Sequence, residues 1–459
     1  MLRQDTIAAI ATPVGAGGIG IIRISGPRAL EIARRVFKPN KNNCPWESHV
    51  LYHGDIVSAD GKTALDEVLI SFMRGPNSFT GEDVIEINCH GSAVIMQKIL
   101  SELVSLGCRL AGPGEFSQRA FFNNKLDLSQ AEALAAMVAA PTPQAFSLGL
   151  GQLKGKLSAE IEKVRNFLIE ALASLEASID FAEDVPAEDN ASVTPQIDEA
   201  DKSIEKLLST YHEAKIITQG LNVVITGKPN VGKSSLLNAL TGRKKAIVTD
   251  IPGTTRDLIV DEIVVHGTVL NLMDTAGIRK PKDAIEKEGI SLVWENLANA
   301  DLSLIVLDGS IPLSPEDEEI MAKNKNANTV IAINKSDLPV AWGVEKIAQL
   351  IAPEKKTIKI SAKFGLGLTE LKKAIIVSCS AQTRPDTGAA MISNLRHKQS
   401  LEKAQKNIIE AKEAIARGES PEISAFELRE AVDSLDEITG RKINDEVLDK
   451  IFSSFCIGK

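Results

Sequence analysis

Apolar residues recur at helical spacing through the middle and the end of the chain. The clearest stripe consists of Leu153, Leu157, Ile161, Val164, Leu168, Leu172, Leu175 and Ile179. Its intervals of 4, 4, 3, 4, 4, 3 and 4 residues follow one face of an α-helix and predict one long amphipathic helix. A second helix is predicted over about 195–218, and helical periodicity returns at Leu401. We expect these stripes to be packing surfaces between helices.

Short apolar runs and turns alternate at the start of the chain. The runs cover 6–11, 21–25, 67–72 and 84–88, with helical stretches near 27–37 and 93–106. This alternation predicts an α+β domain. The glycine-rich run 15–20 resembles a dinucleotide-binding fingerprint only superficially, because a strand-like segment and not a helix follows it.

A phosphate-loop pattern lies in the middle of the chain. Residues 227–234 read Gly-Lys-Pro-Asn-Val-Gly-Lys-Ser, after a strand-like run at 221–226 and before a helix-like run at 235–240. In such a loop the backbone N–H groups and the positive end of the following helix hold phosphate oxygens. Lys233 would then supply a point charge to the outer phosphates, and Ser234 a hydroxyl to Mg²⁺.

Three later segments complete the pattern of a guanine-nucleotide site. Asp-Thr-Ala-Gly at 274–277 ends an apolar run, where a magnesium-linked carboxylate belongs. Asn-Lys-Ser-Asp at 334–337 follows another apolar run, and Ser-Ala-Lys occupies 361–363. Asp337 can accept two hydrogen bonds from the N1–H and amino group of guanine, which adenine does not offer. The four segments together predict a GTPase module.

The residue after the Asp-Thr-Ala-Gly segment departs from signalling GTPases. Those enzymes orient the attacking water with a glutamine at this place, whereas this chain has Ile278. Asn230 in the phosphate loop is typical of GTPases that bind K⁺ beside the phosphates. Our hypothesis is therefore that K⁺ stimulates hydrolysis in place of an arginine finger.

Composition narrows the function classes. The 459 residues carry a net charge of −9, with 44% hydrophobic, 25% charged and 4% aromatic residues. This excludes a generally basic nucleic-acid surface and disfavours a platform of stacked aromatic side chains. Segment 395–417 has six Lys/Arg against three Glu, a modest RNA-contact candidate for which an ordinary solvated helix face is the favoured alternative.

Cysteine usage and the start of the chain indicate an intracellular protein. Five scattered cysteines form no C-x-x-C pair, so neither a disulfide framework nor a zinc site is expected. The chain start lacks the apolar core of a signal peptide, and no apolar run approaches membrane-spanning length. We expect a cytoplasmic protein that does not bind membranes.

The order of these patterns predicts the domain organisation. The expected fold class is multidomain α/β, in which a Ras-like phosphate-loop GTPase domain is inserted into a discontinuous helical domain behind the α+β domain. The predicted boundaries are 1–123 for the α+β domain, 124–218 and 383–459 for the two parts of the helical domain, and 219–382 for the GTPase domain.

Several segments resemble the MnmE (TrmE) family of tRNA-modifying GTPases. They are 11–13, 17–26, 79–83, 113–116, 124–128, 253–257 and the C-terminal Cys-Ile-Gly-Lys at 456–459. The resemblance runs from one end of the chain to the other, and its motifs are specific.

The resemblance implies a shared reaction. Members of this family are homodimers that act with the flavoprotein MnmG, as a heterotetramer, on the wobble uridine of certain tRNAs. They add a (carboxymethyl)aminomethyl group at carbon 5, with a one-carbon unit from methylene-tetrahydrofolate, and GTP hydrolysis drives conformational cycling. The N-terminal domain would bind the folate, also as 5-formyl-tetrahydrofolate, and dimerise; the matching folate residues are Arg23, Glu86, Lys125 and Lys459.

The resemblance also implies roles around the nucleotide. K⁺ would be bound by Asn230, Thr249, Ile251 and Thr254, and Mg²⁺ by Ser234 and Thr255, while Glu286 would help to place the attacking water. The catalytic set is thus Glu286, Lys233 and Asn230. The predicted GTP-binding residues are Asn230, Val231, Gly232, Lys233, Ser234, Ser235, Thr249, Asp250, Ile251, Pro252, Gly253, Thr254, Thr255, Asp274, Thr275, Ala276, Gly277, Asn334, Lys335, Ser336, Asp337, Ser361, Ala362 and Lys363.

Two questions stay open at the level of sequence. Cys456 is a candidate reactive thiol, although its C-terminal context is a poor prenylation signal. The GTPase motifs alone fit a ribosome-assembly or signalling switch without modification chemistry equally well. The N-terminal domain and the C-terminal tail favour the modification enzyme, since a bare switch has no need of a folate site.

Overall fold

The computed structural model describes residues 5–13, 15–40, 44–180, 193–242, 260–274, 300–324, 328–342, 355–379 and 389–458. The chain divides into two compact units. The first comprises Met1–Ala139, Gly149–Ser209 and Asn394–Lys459, and the second Ala140–Leu148 and Thr210–Ser393.

Strands are numbered in chain order over the described residues. They are β1 Ile7–Ile10, β2 Gly17–Ser25, β3 Phe37–Pro39, β4 Leu51–Val57, β5 Ala64–Met73, β6 Val84–Gly91, β7 Arg109–Leu110, β8 Leu221–Thr226, β9 Val260–Val265, β10 Thr268–Asp274, β11 Leu302–Asp308, β12 Thr329–Asn334 and β13 Lys356–Lys359.

Helices are numbered in the same way. They are α1 Ala29–Val36, α2 Ala93–Ser105, α3 Glu115–Phe122, α4 Leu128–Val138, α5 Pro143–Leu153, α6 Lys156–Asp180, α7 Thr194–Ser209, α8 Tyr211–Gln219, α9 Lys233–Thr241, α10 Pro315–Lys323, α11 Leu368–Cys379, α12 Leu395–Ala416, α13 Pro421–Thr439 and α14 Asp445–Ser453. Within the described ranges, none of them has both the length and the apolar character that crossing a membrane requires.

The first unit begins with a mixed sheet in the order β3-β4-β5-β6-β2-β1-β7. Its neighbouring strands are antiparallel, except that β1 and β7 run parallel. Ile22 and Ile24 of β2 are buried with α1 and α2 against this sheet, whereas Arg23 between them points to the opposite face. The run 21–25 lies in a strand, as predicted, and the glycine-rich run before it does not open a helix.

The remaining helices of the first unit form a bundle in which α6, α7, α12 and α13 pack together. Leu157, Ile161, Val164, Leu168 and Leu175 of α6 are buried, so the apolar stripe is packing surface as predicted. In sequence, α6 and α7 precede residues 210–393 of the second unit, and α12 and α13 follow them. The helical bundle is therefore discontinuous, as expected from the sequence.

Two helix predictions were wrong in their extent. The helix predicted from Leu153 is divided, because α5 ends at Leu153 and Gly155 adopts a left-handed φ of +82° before α6 begins. The helix predicted over 195–218 is also divided, since α7 ends at Ser209 and Thr210 is the N-cap of α8. The Thr210 carbonyl accepts the first hydrogen bond of α8, from the Ala214 N–H at 3.0 Å.

The second unit is built on a sheet in the order β13-β12-β11-β8-β10-β9. All its neighbours are parallel except β9 and β10. Every residue of β11 and β12 is buried, which explains why both sequences are mostly apolar. The carboxyl ends of β8, β11 and β12 meet at one edge, where ligands bind in open parallel sheets.

Candidate functional site

The phosphate loop connects β8 to α9 at that edge. Gly227, Asn230 and Gly232 have φ values of +147°, +64° and +97°, so the backbone coils back on itself between strand and helix. A Cβ on Gly227 would lie 2.4 Å from the Val306 carbonyl oxygen, and one on Gly232 would lie 2.3 Å from Asn334 Nδ2. Glycine is therefore required at both positions.

Lys233 lies inside this loop. Its side-chain ammonium donates to the carbonyl oxygens of Gly227 at 2.6 Å and Lys228 at 2.7 Å, and the residue is only 6% exposed. A buried cation at the mouth of a helix N-terminus is suited to the outer phosphates of a nucleotide, as the sequence predicts. Ser234 and Ser235 follow it in the first turn of α9.

Asn334 joins the phosphate loop to the loops expected to bind the base. Its Nδ2 donates to the Val231 carbonyl at 2.8 Å, and its Oδ1 accepts from the Ala362 N–H at 3.0 Å. The residue is buried at the end of β12. Three motifs far apart in sequence thus meet on one side chain, 103 residues from Val231 and 28 from Ala362.

The carboxylate predicted to read guanine lies beside this junction. Asp337 Oδ1 accepts a hydrogen bond from Ser361 Oγ at 2.6 Å, which orients the carboxylate. Lys335 has a left-handed φ of +63°, and its ammonium pairs with Asp308 Oδ2 at 2.5 Å. Burial raises the pKa of the Asp308 carboxyl, but hydrogen bonds from Lys335 and Ser310 outweigh it and hold this pKa below its ordinary value.

Asp308 joins the predicted site through its ion pair with Lys335, and the sequence did not predict it. It ends the apolar strand β11, as Asp274 ends β10 and Asn334 ends β12. A polar residue at the carboxyl end of a buried parallel strand was a signal that could have found it.

Part of the predicted nucleotide site lies outside the described residues. This applies to 249–255, to 275–277 and to Glu286. Among the predicted cation ligands, Asn230 and Ser234 belong to the described loop. An amide oxygen and a hydroxyl are hard ligands that suit K⁺ and Mg²⁺ in kind.

The predicted folate residues Arg23 and Glu86 face each other across β2 and β6. Arg23 Nε and one terminal nitrogen donate to Glu86 Oε1 at 2.9 and 2.7 Å. The Arg23 guanidinium also lies 5.7 Å from the ring centroids of Phe79 and Phe116, within cation–π range. Neither aromatic residue was predicted as part of this site.

The C-terminal tail reaches the same place. Arg23 donates to the Gly458 carbonyl at 3.2 Å, and Ile457 forms a β-bridge with Pro113. Gly458 has a φ of +91°, and its Cα lies so close to β1 that an added Cβ would be 2.5 Å from the Ile10 carbonyl oxygen. Lys459 lies outside the described residues, and Cys456 beside the bridge is exposed.

Lys125, the other predicted folate residue in the described part of the chain, contacts the loop that follows β5. Its ammonium donates to the Pro76 carbonyl at 3.0 Å, and its side chain approaches Gly81. Lys125 therefore contacts the loop 75–83, which also carries Phe79.

A buried arginine joins two of the family-like segments. Arg119, 1% exposed, pairs with Glu82 at 3.0 Å, with Glu115 at 3.2 Å and with Asp5 at 2.6 Å. Glu82 belongs to segment 79–83 and Glu115 to segment 113–116. The cluster ties the loop that carries Phe79 to helix α3, which carries Phe116, and both aromatic rings lie beside Arg23.

Comparison with known proteins identifies the family. The family model described as GTP-binding protein TrmE N-terminus matches residues 6–125, and that of the MnmE helical domain matches residues 128–456. The chain is 43% identical over 456 residues to the tRNA modification GTPase MnmE of Syntrophus aciditrophicus, covering 99% of this chain and 100% of that protein. The chain belongs to the MnmE family. The MnmE of Carboxydothermus hydrogenoformans is 44% identical over 468 residues, with both proteins covered completely.

Solved structures resemble one part of this MnmE-family chain. The G domain of the T. maritima FeoB iron transporter is 24% identical, covering 35% of this chain and 99% of that chain, with a TM-score of 0.28. The full-length MnmE relatives and the two family models confirm the resemblance stated from the sequence and the multidomain α/β fold class.

Proposed function

We propose that this chain is a GTP-hydrolysing enzyme of tRNA modification. The observation that carries the proposal is Asn334, which holds the phosphate loop and the base-reading loops together in the pattern of a guanine-nucleotide site. The full-length relatives are named tRNA modification GTPases. In this proposal Lys233 neutralises charge on the outer phosphates and Asp337 selects guanine.

The proposal extends to two cations in the nucleotide site. Asn230, Thr249, Ile251 and Thr254 would hold K⁺, and Ser234 and Thr255 would hold Mg²⁺. These ions would neutralise charge on the phosphates when bound. Glu286 would place the attacking water, a role that Ile278 is unable to fill.

The proposed modification is that of the wobble uridine. Acting as a homodimer with an MnmG-type flavoprotein in the cytoplasm, the chain would help to add a (carboxymethyl)aminomethyl group at carbon 5 of that base. Methylene-tetrahydrofolate would supply the one-carbon unit. The domain boundaries expected from the sequence, with folate bound in residues 1–123, are part of this proposal.

The Arg23 cluster has the chemistry that a reduced folate needs. A pterin presents N–H donors and a carbonyl, and the folate tail presents carboxylates. Glu86 can accept from the pterin donors, while Arg23, Lys125 and Lys459 can meet carbonyl or carboxylate oxygens. The aromatic rings of Phe79 and Phe116, which flank the Arg23 guanidinium, add apolar walls.

The function is tested by mass spectrometry of nucleosides from bulk tRNA. Cells lacking this chain are expected to lose the modified wobble uridine, and the parent gene is expected to restore it. An Arg23→Ala gene should fail to restore it, because its product should lose 5-formyl-tetrahydrofolate binding while it keeps GTP turnover. Unchanged nucleosides in the cells lacking the chain contradict the proposal and leave a GTPase switch without modification chemistry as the better account.

GTP turnover by the full chain is expected to be at least about tenfold faster in KCl than in NaCl at matched ionic strength, because K⁺ would take the place of an arginine finger. Asn230→Gly removes the amide but tolerates the left-handed φ of +64°, so this variant should lose the difference between the salts. Equal rates of GTP turnover by the parent protein in KCl and NaCl would contradict the K⁺ hypothesis.

A further inference from the structure

Lys228 occupies a position that the phosphate-loop pattern leaves unspecified. Its ammonium forms an ion pair with Asp317 Oδ2 at 2.5 Å and donates to Ser314 Oγ at 2.8 Å. The side chains of Lys228 and Asp317 are only 13% and 3% exposed. A lysine in a surface loop is ordinarily hydrated, so its burial against one carboxylate needs an explanation.

Asp317 is a fixed anchor. It is the third residue of α10, and its Oδ2 accepts from both the N–H and the hydroxyl of Ser314, each at 2.9 Å, which closes a capping box. Met321 on the same helix is buried against β11 and β12. Lys228 is therefore tied to a helix start that the sheet holds in place.

The backbone of Lys228 faces the nucleotide site. Its carbonyl accepts from the Lys233 ammonium at 2.7 Å, beside the Gly227 carbonyl at 2.6 Å. A continuous path runs from Asp317 through the side chain and carbonyl of Lys228 to the Lys233 ammonium. The ammonium that would meet the outer phosphates is thus aimed by a residue that α10 anchors.

We propose that the Lys228–Asp317 ion pair positions Lys233 for the β- and γ-phosphates of the bound nucleotide. Lys228 and Asp317 are positioning residues, since neither touches the nucleotide in this account. The inference rests on the proposed GTP site. It adds that the Lys228–Asp317 pair determines how tightly this site binds the β- and γ-phosphates. Because the pair acts through Lys233, its loss should lower the affinity only for nucleotides that have a β-phosphate.

The test is isothermal titration calorimetry of the full chain with GDP, GTP and GMP. In Lys228→Met protein the Kd for GDP and GTP is expected to rise about tenfold, the effect of one poorly aimed charge-assisted hydrogen bond. The Kd for GMP should stay within about twofold, since the α-phosphate is held by backbone N–H groups. Lys228→Arg keeps a cation within reach of Asp317 and should restore most of the GDP affinity.

Two further variants distinguish an effect on the position of Lys233 from an effect on the stability of the fold. Lys228→Met combined with Asp317→Asn leaves no unpaired buried charge and keeps an amide in the capping box, so this protein should fold well yet still bind GDP weakly. Lys323→Met is the matched control on α10, where it removes an exposed pair with Glu319 at 2.7 Å. It should bind all three nucleotides as the parent does.

Three results would overturn the inference. They are parental GDP affinity in Lys228→Met protein, an equal loss of GMP and GDP affinity, and recovery of GDP affinity in the double variant, which would mean that only the unpaired carboxylate matters. A parent protein that binds neither GDP nor GTP would instead overturn the proposed function itself, and so the two failures are distinguishable.

Discussion

Asp337→Asn protein is expected to lose affinity for GTP by roughly 10²- to 10⁴-fold, since two hydrogen bonds to a charged group are each worth about 1.5–3 kcal/mol. The Asp337 carboxylate, oriented by Ser361 Oγ at 2.6 Å, would accept from both guanine donors. The amide that replaces it turns an N–H₂ group toward one of them. Xanthine carries a carbonyl where guanine carries its amino group, so the variant should bind xanthosine triphosphate better than GTP.

Competition between the two nucleotides, measured by calorimetry on the parent and the variant, checks this result. Asp198→Asn is the matched control, because Asp198 is an exposed partner of Lys412 at 2.6 Å in the other unit. That control should keep parental GTP affinity. A folded Asp337→Asn protein that still binds GTP as the parent does would show that another group reads the base.

Most of the nucleotide-binding unit could be predicted, because its strands are recognisable from their own sequences and its motifs directly follow those strands. Strands β8, β11 and β12 are parallel and mostly buried, so each has a mostly apolar sequence that can be found without knowledge of its partner strands. The motif residues follow the strand ends directly, and the topology of a parallel sheet brings those ends together. The sequence therefore predicts that segment 334–337 and the phosphate loop belong to one site, and the structure adds the hydrogen bond from Asn334 to Val231.

Contacts between distant strands and helices were beyond the sequence. In the sequence, Arg23 and Glu86 each look like an ordinary surface charge. Only the register of β2 and β6 places them opposite each other. Lys228 occupies a variable position of its motif, and its partner Asp317 lies in a later helix. The break at Gly155 was missed because one glycine within a helical pattern is often tolerated.

The ion cluster around Glu132 joins residues that no pattern in the sequence would pair. Glu132 on α4 accepts from Arg396 Nε at 3.0 Å, from a second Arg396 nitrogen at 2.6 Å and from Asn394 Nδ2 at 3.0 Å. Its Oε2 also lies 2.7 Å from His397 Nε2. These partners belong to the start of α12, more than 260 residues later in the chain. The side chains of His397, Glu132 and Arg396 are 2%, 11% and 20% exposed, so the cluster is largely buried.

Glu132→Gln is expected to destabilise the first unit by about 3–5 kcal/mol, because it leaves the Arg396 guanidinium without its counter-charge and His397 Nε2 without its carboxylate partner in a largely buried place. Burial raises the pKa of Glu132, but His397 and Arg396 outweigh it and lower this pKa to about 2 from an ordinary value of 4.5. A lowered folded-state pKa means that the stabilisation is complete above about pH 4.5 and is lost as the pH falls toward 2. The stability difference between parent and variant should therefore narrow across that window.

Amide hydrogen exchange of α4 and α12 in increasing urea measures this difference without assuming that the two units unfold together. Glu176→Gln is the matched control, since Glu176 forms an exposed pair with Arg429 at 2.6 Å in the same unit and should cost less than about 1 kcal/mol. Equal losses in the two variants at neutral pH would mean that desolvation adds nothing to the Glu132 cluster. A difference that stays constant from pH 5 to pH 2.5 would contradict the lowered pKa, because Glu132 of the unfolded chain, with its ordinary pKa of 4.5, takes up a proton in that range whereas the folded parent, with a pKa of about 2, stays ionised.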